Sequence, residues 1–584
     1  MRSRPVADHG SPFRRLIHEY RGTVACVFVF SAVVNLLMLA GPLYMLQVYD
    51  RVLVSRSVPT LVALSVFLLG AYAFQGVLDL IRARIIVRSA MLVDARLAED
   101  VHRAVVRIGA DPSGSRDAAQ PVRDLDQIRG FMSGSGPAAI MDLPWMPVFM
   151  AICFLIHSVL GWVALSGGLM LLGVTLLTER ASRRLSGETM QSATTRLGLS
   201  EATRRNAETV TALGMEQALS ERWAAANERF TEAVRSAADV VTGFGVLSKI
   251  LRLLLQSALL GVGAYLVIGG ELLPGAMIAA SVMMGRALAP IETVIANWRG
   301  LIGARQSARR LSVVLEEAAN AGPGLSLPPP LARLDVENLS VALPSTGRLL
   351  LKNIRFMLRS GEILGVIGSN GAGKTTLARA LVGIWPPAGG HVRLDGATLD
   401  QWPGTDRGRH MGYVPQGADL FDGTIAENIS RMETRPDDAA ILKAAKAAGI
   451  HDMILRLPEG YETRIGRGGL LLSAGQRQRI ALARALYRDP FLIVLDEPNA
   501  NLDQEGETAL DRALRQARER GAIVVVIAHR PSALALCDKL LVLADGSQKA
   551  FGPREDILRK VVPQADQAGK AGRLRVVPAA RMTP

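Results

Sequence analysis

Eight residues in the second half of the chain have the types and spacing of a phosphate-binding loop. They are Gly368, Ser369, Asn370, Gly371, Ala372, Gly373, Lys374 and Thr375. In this pattern backbone N–H groups and the N-terminus of the next helix surround phosphates, the lysine reaches the β and γ oxygens, and the hydroxyl binds Mg²⁺. A strand-like run, "EILGVIG", precedes the loop and a helix-like run follows it. The pattern therefore predicts a site for a nucleotide polyphosphate and Mg²⁺.

Two further apolar runs end in polar side chains suited to phosphate chemistry. "FLIVLDEP" at 491–498 contains Asp496 and Glu497, and "AIVVVIAH" at 522–529 ends in His529. Buried parallel strands deliver their last residues to one edge of a sheet, where ligands bind. We expect Asp496 to bind Mg²⁺, Glu497 to act on an attacking water, and His529 to lie beside the phosphates. A lone histidine is more often structural. His529, however, ends an apolar run in the same way as Asp496 and Glu497, and this favours the functional interpretation.

These elements belong to a chain of 584 residues, which is too long for one ordinary domain. A Gly- and Pro-rich stretch, "AGPGLSLPPPLARL" at 321–334, indicates a linker before the phosphate-binding part. We expect a cytoplasmic N-terminal segment at 1–21, a transmembrane domain at 22–318, a linker at 319–330, a nucleotide-binding domain at 331–562 and a basic, disordered tail at 563–584.

The first half of the chain is apolar over four long stretches, at 22–46, 59–81, 137–178 and 238–298. A membrane-spanning helix needs about 20 apolar residues, so each of the last two stretches can form a hairpin and the total is six spans. The breaks "HSVLGW" at 157–162 and "GGELLPG" at 269–275 have the residues of tight turns. The first stretch has no small-residue cleavage site, which favours a retained helix over a signal peptide.

Arginine placement predicts the orientation of these spans. The long connections at about 83–136 and 179–237 are rich in arginine, so we expect both of them and both termini to be cytoplasmic. Arg51 and Arg56 are a mild exception. Both connections are also rich in helix-forming residues, so we expect helices there. They are either solvated charged faces or extensions of the spans that contact the nucleotide-binding domain.

Overall composition agrees with a membrane protein that has basic cytoplasmic surfaces. The formal net charge is +14, yet 49% of residues are hydrophobic and the mean hydropathy is +0.23, which is too apolar for a typical nucleic-acid-binding protein. The three cysteines, Cys26, Cys153 and Cys537, provide neither a disulfide framework nor a metal cluster.

Arg286, in "MMGRALAPIE", is an ionisable residue inside apolar sequence, where an unpaired charge is costly. Two interpretations are equally supported. The arginine lines a polar cavity, or it lies near a helix end, where it snorkels or pairs with Glu292.

Several motifs together resemble the ATP-binding cassette (ABC) family, in the order typical of that family and over about residues 331–560. Beside the phosphate loop and "LIVLDEP", they are "GYVPQ" with Gln416, the signature "LSAGQ", "NLD" ending in Asp503, and the switch histidine His529. The resemblance implies a six-span α-helical transmembrane domain fused to an α/β P-loop NTPase with a small antiparallel β subdomain and a helical subdomain.

The family resemblance also implies that two cassettes enclose two ATP molecules head to tail. One chain contributes the phosphate loop with Thr376, and the other contributes its signature, whose residues are Ser473, Ala474, Gly475 and Gln476. The Mg²⁺ ligands would be Thr375, Gln416 and Asp496. Glu497, His529 and Gln416 would be catalytic, and Asp503 would belong to the nucleotide site. Because the chain has one set of spans and one cassette, we expect a homodimer.

The membrane part is similar to the type I secretion ATPases of Gram-negative bacteria, which export proteases, lipases and repeat-in-toxin-like proteins. The matching stretches are "MLQVYDRVLVSRSVPTLVALS", "MDLPWMPVFMAICFLIHSVLGW", "GRALAPIE" and "VLDEPNANLD". This implies ATP-driven export of an unfolded polypeptide across the inner membrane, with the ATPase domain in the cytoplasm. The implied partners are a periplasmic membrane-fusion adaptor, an outer-membrane channel, the exported polypeptide and membrane lipid, with no nucleic acid.

Three positions differ from the residues that are usual in the family. Leu343 stands where many members have an aromatic residue that stacks on adenine, so we expect a weaker preference for ATP over GTP. Ala474 replaces the usual glycine, which a turn without positive φ can accommodate. Arg467 stands where exporters usually carry glutamate, and Glu201 or Glu216 is a candidate partner for it. No peptidase-like domain precedes the first span, so removal of a leader peptide is not expected.

Two other functions remain open at this point. The chain can be a lipid or small-molecule exporter, because the motifs of the cassette do not indicate which substrate is transported. A non-transport ATPase acting on DNA or ribosomes is disfavoured by the six spans.

Overall fold

The computed structural model of the chain describes residues 19–110, 117–319, 327–343, 346–417, 419–466, 472–528 and 534–559. The chain divides into two units. A helical unit comprises Met1–Val106 and Ala118–Ala321, and an α/β unit comprises Arg107–Asp117 and Gly322–Pro584.

The described part of the helical unit consists of helices joined by short turns. In chain order they are α1 (Arg21–Leu37), α2 (Ala40–Gln47), α3 (Leu53–Ser55), α4 (Val58–Gly109), α5 (Gln120–Met132), α6 (Gly136–Asp142), α7 (Met146–Ile156), α8 (Ser158–Arg205), α9 (Ala207–Ala212), α10 (Glu216–Ile268), α11 (Pro274–Ala296) and α12 (Trp298–Ala319). A π-helix, Val48–Val52, separates α2 from α3, and a 3₁₀-helix, Leu143–Trp145, separates α6 from α7.

Six helical stretches in the described residues are long and apolar enough to cross a membrane, which confirms the predicted number of spans. They are Arg21–Ser55, Val58–Gly109, Gly136–Ile156, Ser158–Arg205, Glu216–Ile268 and Pro274–Ala296. The breaks within the two hairpins fall where turn residues predicted them. His157 is extended and its side chain accepts a hydrogen bond from Val159 N, and the second break ends at extended Leu273 before Pro274. Proline suits the first turn of a helix because its missing N–H would be unpaired there.

Helices also fill much of the two long connections, as expected from their composition. α4 continues to Gly109, α8 continues to Arg205, and α10 already begins at Glu216. At about 1.5 Å per residue, these helices are longer than a membrane is thick. They therefore extend beyond the apolar core that their spans cross.

The first span runs to Ser55, nine residues beyond the predicted end at Leu46. The charged residues Asp50 and Arg51 lie just beyond that end, within "VYDR". In the structure these residues form the π-helix, and Asp50 Oδ1 accepts a hydrogen bond from Gly275 N at 2.7 Å. The carboxylate thus satisfies a free N–H group at the start of α11, and this partner lies 225 residues away in the chain.

Glu292 pairs with Arg252 rather than with Arg286. The Arg252 Nε to Glu292 Oε1 distance is 2.6 Å, and the pair joins α10 to α11. Arg286 is exposed on α11, and no acid among the described residues pairs with it. The interpretation in which Glu292 neutralises Arg286 was therefore wrong.

The α/β unit is organised around one sheet in its described residues. The strands are β1 (Arg333–Ala342), β2 (Leu349–Arg359), β3 (Ile363–Gly368), β4 (Gly389–Leu394), β5 (Ala397–Thr398), β6 (Met411–Val414), β7 (Leu492–Asp496), β8 (Ile523–Ile527), β9 (Lys539–Ala544) and β10 (Ser547–Pro553), in the spatial order β5-β4-β1-β2-β10-β9-β3-β8-β7-β6. Strands β9, β3, β8, β7 and β6 are parallel, whereas β5, β4, β1 and β2 are antiparallel. This arrangement contains the predicted α/β core and antiparallel subdomain.

The helices of this unit cover both faces of the parallel strands. They are α13 (Lys374–Leu381), α14 (Gly404–His410), α15 (Ile425–Ile429), α16 (Asp438–Ala447), α17 (His451–Leu455), α18 (Ala474–Leu486) and α19 (Gln504–Glu519), with a 3₁₀-helix at Gly460–Glu462. Every residue of β7 and β8 is buried. Leu377 of α13 packs with Val494 on one face, and Ile480 of α18 packs with Ile493 on the other. Burial on both faces explains why these strands are continuous apolar runs in the sequence.

Candidate functional site

The parallel strands bring the predicted phosphate residues to one edge of the sheet. In the strand register, Asp496 lies opposite Ile527, and Ile527 lies opposite Val366, two residues before the end of β3. Val414, which precedes the loop holding Gln416, lies opposite Leu495. The phosphate loop, Gln416, Asp496 and Glu497 therefore follow neighbouring strand ends. His529 lies outside the described residues.

The backbone of the phosphate loop requires glycine at two positions. Gly371 has φ +79° and Gly373 has φ +96°, both in the left-handed region. A Cβ on Gly373 would also lie 2.7 Å from Leu351 Cδ2. This conformation turns the chain sharply from β3 into α13, whose first residues are Lys374, Thr375 and Thr376. The free N–H groups at the start of α13 therefore lie beside the loop, where phosphate oxygens can accept from them.

The Lys374 ammonium is held inside this loop. Its Nζ donates to the carbonyl oxygens of Gly368 and Ser369, each at 2.9 Å, and the residue is 7% exposed. Burial lowers the pKa of Lys374, and the charges of Glu497 and Asp496 oppose that shift. The loop thus contains a positioned cation next to two carboxylates.

Asp496, the last residue of β7, has the features of a metal ligand. It is 1% exposed, and neither carboxylate oxygen receives a hydrogen bond within the described part of the chain. Burial raises the pKa of Asp496, and Glu497 raises it further, whereas Thr375, Arg379 and Lys374 lower it. A buried carboxylate without a donor is costly unless a cation compensates it. An oxygen-binding cation such as Mg²⁺ fits this position, with the Thr375 hydroxyl as a second ligand.

Glu497 adopts a backbone conformation that is rare for its residue type. Its φ is +52°, which costs on the order of 1 kcal/mol for a residue with a side chain. The Glu497 N–H donates to Ile527 O at 3.0 Å, and Gln416 Nε2 donates to Glu497 Oε2 at 3.2 Å. These contacts hold the carboxylate at the sheet edge beside Gln416.

A cavity of about 620 Å³ brings most of these residues together. It is lined by Asn370, Gly371, Gly373, Lys374, Thr375, Thr376, Gln416 and Glu497. Its size is in the range of pockets for small ligands. Gly368, Ser369 and Ala372 form the loop without lining the cavity, and no residue of the signature lines it either.

Leu343 follows β1 and does not line this cavity. Its N–H donates to Arg348 O at 2.9 Å, and its carbonyl oxygen accepts from Gly347 N at 2.8 Å. The side chain is half-buried. Its role at the adenine position stays a prediction.

The signature forms the N-terminus of α18. Ser473 Oγ accepts from Gln476 N at 3.2 Å, and Gln476 Oε1 accepts from Ser473 N at 2.8 Å, which is a capping box. Ala474 is the first residue of the helix and does not have positive φ, as expected. Position 475, in contrast, requires glycine, because a Cβ there would lie 2.7 Å from Asn501 O.

Gln478 is a site residue that the sequence analysis missed. Its Nε2 donates to the carbonyl oxygens of Glu497 (3.2 Å) and Pro498, and its Oε1 accepts from Asn501 N at 3.1 Å. The residue is 5% exposed. It therefore ties the signature helix to the loop that carries Glu497. Its position on the apolar face of α18, one turn before Leu482, is the signal that could have identified it.

Asp503 caps the N-terminus of α19 and keeps its side chain accessible. Its Oδ1 accepts from Gly506 N at 2.8 Å, its Oδ2 lies 3.9 Å from Arg479 Nη2, and the side chain is 62% exposed. Arg467 lies outside the described residues. Glu201, one of the suggested partners for it, pairs with Arg204 at 2.7 Å on the same helix.

Comparisons with known proteins agree with this architecture. Residues 351–500 match the family model described as ABC transporter, and residues 24–290 match that described as ABC transporter transmembrane region. A solved structure of a bacterial Atm1-family ABC exporter with ATP bound is similar in fold, with a TM-score of 0.81, 22% identity, and coverage of 96% of this chain and 99% of that chain.

Curated relatives extend the similarity over almost the whole chain. The chain is 49% identical over 561 residues to the type I secretion system ATP-binding protein PrsD of Rhizobium meliloti, which covers 96% of each protein. It is 29% identical over 567 residues to the cyclolysin secretion/processing ATP-binding protein CyaB of Bordetella pertussis, with coverage of 95% of this chain and 79% of CyaB. The two family models together match the transmembrane region and the part of the chain that carries the phosphate loop. The chain therefore belongs to the ABC transporter family, with its membrane and ATPase domains on one polypeptide, and within that family to the type I secretion system ATP-binding proteins.

Proposed function

We propose that the chain exports an unfolded polypeptide across the inner membrane of a Gram-negative bacterium, as the homodimeric ATPase and permease of a type I secretion system. The observation that carries this proposal is the 49% identity to PrsD, a type I secretion system ATP-binding protein, over 96% of both chains. CyaB is named for cyclolysin secretion, and LktB of Mannheimia haemolytica, 29% identical over 556 residues, for leukotoxin translocation. These names support a polypeptide cargo.

ATP is the substrate that the phosphate-loop cavity fits. The N-terminus of α13 and the Lys374 ammonium oppose the negative charge of the phosphates. Thr375, Gln416 and Asp496 would hold Mg²⁺, which supplies further charge neutralisation when bound. The buried, donor-free carboxylate of Asp496 is the observation in favour of that metal site.

Glu497 orients the attacking water or takes its proton. The carboxylate lines the cavity, and Gln416 fixes one of its oxygens. His529, which follows β8 in the chain, would contact the γ-phosphate. Positioned acid–base groups of this kind contribute about 10²- to 10⁴-fold to a rate.

A second copy of the chain completes each site. The cavity lacks the signature, yet Ser473 and the N-terminus of α18 have the features of a phosphate-binding element. The Ser473 oxygen accepts from Gln476 N, so its own O–H can donate to a phosphate oxygen. With Gly475, Gln476 and Asp503, it would face the ATP that the partner's phosphate loop binds. Such an exchange is reciprocal between two identical chains.

The proposed assembly spans two membranes. The arginine-rich connections of the spans favour a cytoplasmic cassette. A periplasmic membrane-fusion adaptor and an outer-membrane channel would continue the path of the polypeptide, and membrane lipid surrounds the six spans.

The test is purification of the tagged full chain from cross-linked membranes of its native host. We expect two copies of the chain together with a membrane-fusion adaptor. A complex that lacks an adaptor and has ATPase activity stimulated by lipid would contradict the proposal and support a lipid exporter.

A further inference from the structure

The surface of α11 differs from that of the other five spans. Each of those spans exposes large apolar side chains, as expected of helices that face lipid, with Val66 and Phe67 of α4 as examples. In the described structure, no large apolar side chain of α11 is exposed. Its exposed residues are Pro274 at its first position, Arg286, Ala289 and Ala296, and its opposite face is buried against α8 and α10. The open face of α11 therefore lacks the large apolar side chains that the other five spans expose, and it carries a charged residue instead.

Arg286 lies near the middle of this span. It is twelve residues from Pro274, so its Cα is about 18 Å from the start of a helix that crosses about 30 Å of hydrocarbon. A charge at this depth is costly in lipid, and charged residues in spans face a protein interior or a water-filled cavity.

The charged residues in the membrane-crossing parts of α10 and α11 leave a positive excess. Arg252 and Glu292 neutralise each other, with Nε and Oε1 2.6 Å apart. Lys249 on α10 and Arg286 on α11 are both exposed, and neither pairs with an acid in the residues that the structure describes. Gln256, whose amide lies within 4 Å of a Cβ placed on Gly285, adds a polar group at the same level. These groups favour an anionic ligand.

We propose that Arg286 lines a water-filled path between the two copies of the chain and attracts carboxylate groups of the transported polypeptide. This inference rests on the proposed export function for the identity of the ligand. The water-filled path itself rests on the proposed dimer and not on the identity of the cargo.

Charge-selective labelling of Ala289→Cys tests the proposal. Ala289 lies three residues after Arg286 on the same exposed face of α11. The full chain is reconstituted in liposomes and treated with either an anionic or a cationic methanethiosulfonate, and peptide mass spectrometry reads the modification at residue 289. We expect rapid labelling by the anionic reagent. In the Arg286→Ala background the ratio of anionic to cationic rates should fall about tenfold, and Arg286→Lys should restore most of it.

The matched control is Val66→Cys, at a position on α4 whose side chain is 64% exposed. It should react slowly with both reagents, with a ratio that Arg286→Ala leaves unchanged. If Ala289→Cys reacts as slowly as this control, the face contacts lipid or is sealed by the second copy, and the proposal is overturned. An unchanged ratio after Arg286→Ala overturns it as well.

A second arm tests the ligand with a decamer of glutamate as the probe. The peptide should slow labelling of Ala289→Cys by the uncharged reagent N-ethylmaleimide at least threefold more than a decamer of lysine does, and Arg286→Ala should abolish that difference. Equal protection by both peptides would contradict recognition of carboxylates. Labelling does not require export. The charge-selective labelling of Ala289→Cys therefore tests the position of Arg286 even if no adaptor purifies with the chain.

Discussion

Gln416 Nε2 donates a hydrogen bond of 3.2 Å to Glu497 Oε2, and both side chains line the phosphate-loop cavity. The two residues follow neighbouring parallel strands, β6 and β7, and lie 81 positions apart in the chain. Glu497 is also held by its own strained backbone and by Ile527 O. The carboxylate proposed to act on water is thus oriented by its neighbours before any substrate enters.

Glu497→Gln should abolish turnover while ATP binding persists, because an amide cannot take a proton from water. We expect phosphate release to fall at least about 100-fold, with ATP retained and the dimer closed. Exposed Glu519→Gln on α19 is the matched control, with near-normal activity. Near-normal hydrolysis by Glu497→Gln would show that another group activates the water.

Asp496→Asn should stabilise the nucleotide-free protein and abolish Mg²⁺-dependent ATP binding. Burial raises the pKa of Asp496, so the folded protein carries an unfavourable charge at neutral pH that asparagine removes. We expect a Tm increase of a few degrees for the full chain in detergent. In the wild type, the free-energy cost of the buried Asp496 charge is present above the raised pKa of this residue and declines as the pH falls through that pKa. The Tm advantage of Asp496→Asn should therefore shrink below that pKa, and an advantage that grows in acid would refute this assignment.

Gln478→Ala should lower kcat with little change in KM for ATP. The substitution leaves the carbonyl oxygen of Pro498 and the N–H of Asn501 without their side-chain partner, at a cost of about 1–3 kcal/mol, and removes one of the two donors to the carbonyl oxygen of Glu497. Gln478→Glu keeps only the acceptor and should fail to restore kcat. Exposed Gln516→Ala is the control. If KM rises while kcat is unchanged, Gln478 does not position Glu497.

Leu343→Tyr should tighten ATP binding by about fivefold to 150-fold, since stacking on a base contributes about 1–3 kcal/mol. The wild-type chain should discriminate weakly between the two nucleotides. Competition binding with both nucleotides measures this, with Leu349→Tyr, at a position 44% exposed on β2, as the control. Strong discrimination by the wild type would mean that another residue recognises adenine.

Local signals were sufficient to predict much of this molecule. The two glycines of the phosphate loop that have positive φ, the apolar runs of β7 and β8, and the proline that starts α11 each favour their own local conformation. Those signals predicted the six spans, the parallel sheet and the residues gathered at its edge.

Pairings between distant residues could not be predicted in this way. Asp50 accepts a hydrogen bond from Gly275 N, which lies 225 positions later in the chain, and Arg252 pairs with Glu292, which lies 40 positions later. Neither pairing has a periodic pattern in the sequence. Gln478 lies in an Arg- and Gln-rich run, where only its position on the buried face of α18 separates it from solvated neighbours.

Two copies of the chain are proposed to share each ATP site, and a mixed dimer of two variants tests this sharing. One chain carries Lys374→Ala. The other carries Ser473→Asp, which preserves the helix cap but places a negative charge toward the phosphates. All chains also carry Glu497→Gln, so that ATP is retained and can be counted.

With shared sites, the mixed dimer has one site with both defects and one intact site. We predict one retained ATP per mixed dimer, two per dimer of Glu497→Gln alone, and none in either parental double-mutant dimer. If each chain formed its own complete site, the mixed dimer would retain no ATP, and that result would contradict the account.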